Sequence, residues 1–124
     1  MSKIEKLIQK YIGILKIELA DLRDNLEDLV KEAEDDANKK YKKVSNYVSY
    51  ENLSVYKNEL FGINNVFEDI NNLDLSKYKD LDELYLGLKS IFKSKFKKLG
   101  LDKAGYAIIK RKLKKVMQYV LNQY

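Results

Sequence analysis

The chain has 124 residues, 45% apolar and 35% charged, with a net charge of +5, which is enough apolar material for one packed core and too much for a disordered chain. It contains no cysteine, no histidine and no proline, and only five glycines. Those absences exclude a disulfide framework, thiolate chemistry and histidine acting as base or ligand, and they leave long helices uninterrupted where sheets would need more turn residues.

The first element is predicted to start at Ser2, where Ser2 and Glu5 have capping-box spacing. Apolar residues then recur at Ile8, Ile12, Leu15, Leu19, Leu22, Leu26, Leu29 and Ala33, alternating steps of four and three. Such a seam packs one helix along another at a shallow angle. The register then slips. A strict heptad would use Asp36 and Lys40, whereas the apolar residues fall at Ala37, Tyr41, Val44 and Val48. Two readings stay open: a helix continuous over about 2–48, roughly 70 Å long at about 1.5 Å per residue, or a break near 36–40. In the basic run Lys39–Lys43, the lysines would sit at the negative end of the helix dipole. Tyr47, Tyr50 and Tyr56 follow as candidates for a contact surface or for partial burial at a bundle end.

The second helix is predicted over about 50–72, with Leu53, Tyr56, Leu60, Ile63, Phe67 and Ile70 on one face and Asn71 and Asn72 as terminators. Residues 73–79 read as a loop. The third helix, about 80–99, starts at Asp80, where Asp80 and Glu83 repeat the capping spacing, and ends at Gly100. Its face is Leu81, Leu84, Tyr85, Leu88, Phe92, Phe96 and Leu99. Asp102 can cap the fourth helix, about 103–122, whose face is Tyr106, Ile109, Leu113, Val116, Met117 and Val120. The short link between the last two makes them an antiparallel hairpin. The fold class is therefore all-α: one antiparallel bundle of about four helices with a long N-terminal helix.

Two charge blocks stand out. Residues 18–36 hold nine acids and two bases, and residues 89–115 hold eleven bases and one acid, Asp102. In the first, Asp21, Asp24, Asp28, Glu32 and Asp35 form a stripe opposite the leucine seam. Bundle metal sites use carboxylates pointing inward from facing helices. These point outward, so the stripe reads as a solvated face or a docking surface for a basic partner, and no metal ligands are assigned. In the second block, Lys89, Lys93 and Lys97 on the third helix and Lys110, Arg111, Lys114 and Lys115 on the fourth, with Lys103 before them, are candidates for contact with nucleic acid or an acidic partner. Phe92 and Phe96 lie among these lysines but share the core face. Lysine outnumbers arginine ten to one there, so any nucleic-acid contact would be weakly sequence-specific.

No nucleophile motif or phosphate-binding glycine loop is present, so no catalytic or cofactor-binding residue is assigned. No apolar run is long enough to span a membrane or to act as a secretory signal, and a cytoplasmic location is expected. The broad apolar arc of the first helix looks larger than three shorter helices can cover. Self-association, most simply as a homodimer, is therefore expected through Ile8, Ile12, Leu15, Leu19, Leu22, Leu26 and Leu29. The functional expectation is a non-enzymatic interaction protein: an adaptor, inhibitor or assembly component. The alternative is a nucleic-acid-binding accessory protein using the basic hairpin.

Overall fold

The computed structural model describes residues 2–38 and 46–123. Among them are four α-helices, α1 (Lys3–Asn38), α2 (Asn46–Asn71), α3 (Leu81–Lys98) and α4 (Lys103–Gln123), with one 3-10 turn at Leu75–Lys77. This is an all-α bundle. No helix among the described residues is long and apolar enough to cross a membrane.

The starts and stops follow from local chemistry. Ser2 Oγ accepts a hydrogen bond from the Glu5 amide at 3.1 Å, occupying one donor that the first turn of α1 leaves free. Asp80 does the same for α3, accepting from the Glu83 amide at 2.8 Å. Asp102 accepts from the Ala104 amide at the start of α4. The turn between α3 and α4 is a Schellman motif. Gly100 takes the left-handed conformation at φ 67°, the Leu101 amide donates to Phe96 O, and the Gly100 amide donates to Lys97 O. The predicted loop at 73–79 contains the 3-10 turn, whose start is held by Asp74 accepting from both the amide and the hydroxyl of Ser76.

The continuous reading of the first helix is not the one the chain adopts. The last α1 residue is Asn38, and Val48, placed by its sequence pattern at the end of that helix, belongs to α2. Lys39–Lys43, with Tyr41 and Val44, lies outside the described residues. The two helices run back along each other: Ser49 bonds Asp36, Lys57 pairs with Glu34, and Arg23 stacks over Phe67. At about 1.5 Å per residue, α1 is roughly 54 Å long and α2 roughly 39 Å, against roughly 27 and 31 Å for α3 and α4.

That mismatch shapes the molecule. One hydrophobic cluster draws Ile8, Tyr11, Ile12, Leu15, Leu19 and Leu26 from α1. It adds Ile63, Val66 and Ile70 from α2, the Leu81 to Phe96 face of α3, and Ile109 to Val120 from α4. Leu22, Leu29 and Leu60 are half-buried at its edge. Beyond them α1 and α2 continue as a two-helix arm. Its interior is made of small side chains, Ala33, Ala37 and Ser49, all buried outside the main cluster.

The seam expected to need a second chain is filled within this one. Five of its seven residues are buried and the other two half-buried against the chain's own helices. The cover comes from the three shorter helices themselves, with α2 running back along α1 and α3 and α4 packed against the body.

Candidate functional site: two helix surfaces of opposite charge

Tyr11 and Glu18 fix how α4 lies on α1. Tyr11 is fully buried, and its hydroxyl donates to the Leu113 carbonyl at 3.0 Å. Burial raises its phenol well above the ordinary tyrosine range. Seven residues on, the Glu18 carboxylate accepts from Lys112 Nζ at 3.1 Å and from Lys115 Nζ at 3.3 Å. The hydrogen bond from Lys112 is the main reason its carboxyl is held below the usual range, with Lys115 adding to the effect.

These contacts sort the basic block. Lys115, a candidate from the sequence, serves an internal ion pair, as does Lys112. Lys95 pairs with Asp69 at 3.2 Å. Lys89 is half-buried with its ammonium 5.1 Å from the centre of the Tyr85 ring, and its carbonyl accepts from the Tyr106 hydroxyl. Lys93, Lys97, Lys110, Arg111 and Lys114 are exposed and engage no acid among the described residues.

The two basic helices do meet. Lys93 and Lys97 of α3 and Lys103 of α4 rim one hollow of about 670 Å³, with Phe96, Leu101 and Tyr106 among its lining. Phe96 is a core residue, 4% exposed, with its ring 6.2 Å from that of Tyr106. The floor is therefore apolar and largely fixed, and the rim carries three positive charges.

The acids are arranged differently. Asp21, Asp24, Asp28, Glu32 and Asp35 are all exposed along α1, from the body out along the arm. Among the described residues they form no cluster of three carboxylates suited to a metal ion. Beside the stripe, Leu29, Glu32, Ala33 and Asp36 of α1 and Ser49, Asn52 and Tyr56 of α2 line a shallow groove of about 230 Å³. Asp36 accepts from the buried Ser49 hydroxyl at 2.7 Å, which ties the two helices together at this depth.

Reasoning from the sequence placed the two charge blocks but missed this groove and the Glu18 pair. The groove had a faint signal in Ala33 and Ala37, four residues apart, where two helices can approach closely. The Glu18 pair spans 94 residues, so no local spacing rule reaches it. No protein-family model, curated protein or solved structure matches the chain.

Proposed function

We propose that this protein acts by binding rather than by chemistry, as an adaptor, inhibitor or assembly component that meets its partners through helix surfaces. One observation carries the reading. The two charge blocks remain mostly apart in the fold, joined where Glu18 takes Lys112 and Lys115. Six of the remaining acids, Asp21, Asp24, Glu27, Asp28, Glu32 and Asp35, are exposed along α1, and Lys93, Lys97, Lys98, Lys103, Lys110, Arg111 and Lys114 face outward from the α3–α4 hairpin with no ion-pair partner among the described residues. Like charges gathered on one face cost self-repulsion, and electrostatically complementary partners offset that cost.

A second reading is favoured by the three-lysine hollow. Lysines around an apolar floor suit a nucleic-acid strand held through its phosphates, with little readout of sequence. A second copy of the chain is also a candidate partner. Because the leucine seam is used internally, two copies would meet by charge, the arm of one against the lysine face of the other.

Affinity purification from the native host tests the proposal. The wild-type chain is compared with a variant reversed at Lys93, Lys97, Arg111 and Lys114, and with nuclease treatment of each. The expected result is a protein partner that survives nuclease and is lost when one charged surface is altered. Recovery of nucleic acid alone would favour the second reading. Turnover of a small molecule by the purified chain would overturn both.

A further inference from the structure

We propose that the groove on the α1–α2 arm is a docking site for a basic amphipathic helix of another protein. This rests on the binding role proposed above and names the partner chemistry of one surface.

One flank of α1 receives α4. Glu18 lies on that flank and holds two lysines of α4. Eighteen residues make five turns of an α-helix at about 3.6 per turn, so Asp36 lies on the same line as Glu18, five turns further out. Leu29 and Glu32 fall within about half a right angle of that line. On α2 the corresponding flank is marked by Glu59, whose Cγ approaches Gly105 of α4, and by Gly62, which faces Phe96 of α3. Asn52 and Val55 lie seven residues before each of them and share that flank. The arm groove therefore continues the seat in which the α3–α4 hairpin lies. In the body that seat is occupied. The α3–α4 turn reaches α2 as far as Val55, lining a shallow hollow with Ser54, Val55 and Asn58, and no residue of α3 or α4 lines the groove beyond it.

The chemistry of the occupied part indicates the occupant of the empty part. In the body the seat takes an amphipathic helix that buries Ile109, Leu113 and Val116 and presents lysines to a carboxylate. Along the arm the same elements recur: Leu29, Ala33 and Tyr56 as apolar lining, and Glu32 and Asp36 as acids at the wall. The exposed Asp28 and Asp35 extend the negative charge. A helix with one apolar stripe and flanking lysines or arginines satisfies both.

The test uses the full chain and a synthetic 18-residue leucine–lysine peptide with a single apolar face, followed by fluorescence anisotropy at low salt. A twin with glutamate in place of lysine is the control. The lysine peptide is expected to bind and its twin to fail. Glu32→Lys should weaken binding about tenfold, because a repulsive charge replaces an attractive one. Asn52→Trp should weaken it similarly by filling the groove without changing charge. Both positions accept substitution: Asn52 is exposed, and a lysine at 32 gains neighbours in Asp28 and Asp36. Glu68→Lys, exposed near the far end of α2, should leave binding unchanged. An absence of binding would overturn the proposal. So would equal losses from Glu32→Lys and Glu68→Lys with none from Asn52→Trp, which would reveal diffuse attraction. Self-association abolished by Glu32→Lys and Asn52→Trp, with no peptide binding, would overturn it in favour of a second copy. If the native-host partner is retained by Glu32→Lys and Asn52→Trp but lost on reversal of the lysine face, the groove proposal fails while the binding role stands.

Discussion

Glu18 on α1 and Lys112 on α4 lie 94 positions apart in the chain and meet at 3.1 Å, each with about a quarter of its side chain exposed. Lys115 joins the same carboxylate. The contact is the one place where the acidic and basic blocks meet in an ion pair among the described residues, and it sets the side of α1 on which α4 lies.

Removing that contact should loosen the fold modestly. Glu18→Gln is expected to cost about 1 kcal/mol, the upper range for a partly exposed pair. Because the folded carboxyl is held below its unfolded value, its contribution is present above the unfolded value and is lost as pH falls through the folded one. Denaturant titrations should show wild type and Glu18→Gln converging in acid and separating near neutrality.

Tyr11 should show the opposite dependence. Its phenol is raised in the folded state, so stability is complete below the unfolded value, near 10, and falls as pH rises above it. Tyr11→Phe loses the hydrogen bond to Leu113 O, a cost of about 1 kcal/mol near neutral pH. It should also blunt the alkaline loss, and thermal melts between pH 8 and pH 11 check both.

Gly62 is held small by Phe96. A β-carbon there would lie 2.6 Å from Cζ of the ring, too close for contact without a shift. Gly62→Ala should therefore destabilise by about 1–3 kcal/mol through overpacking, against a helix-propensity gain of about 1 kcal/mol. Phe96→Leu in the same chain should recover part of the loss, and a double-mutant cycle measures the coupling.

The nucleic-acid reading has a quantitative signature. If duplex DNA binds through Lys93, Lys97, Lys110, Arg111 and Lys114, the logarithm of affinity should fall with the logarithm of salt at a slope of about −4.5. Reversing these five charges should abolish binding while leaving the circular dichroism spectrum helical, since all five are exposed.

Much of this was legible in the sequence, for physical reasons. Ser2, Asp80, Asp102 and Gly100 act through bonds two to five residues long, so their capping roles can be read locally. The faces of α3 and α4 follow helical period because each helix buries one stripe. The end of α1 was harder to place. No glycine or proline marks residues 39–45, and the only sign was the register slip after Ala33. Placing α2 back on α1 then reassigned the leucine seam from a second chain to the core. Leu26→Asp should unfold the chain, because Leu26 is buried in the core, and Leu22→Asp should destabilise it, because Leu22 packs against that core. The division of the lysines into paired and unpaired was also out of reach, because it depends on which helix faces α1.

In the proposed function, the lysine face and the arm are the surfaces that meet partners. Site-specific photo-cross-linking in the native host tests it most directly, with the reactive residue placed in turn at Lys97, Arg111, Glu32, Asn52 and, as a control, Glu68. The account predicts a discrete cross-linked protein from Lys97 and Arg111, from Glu32 and Asn52, or from both pairs, and none from Glu68. Cross-linking from Glu68 alone, or equally from all five positions, would contradict it.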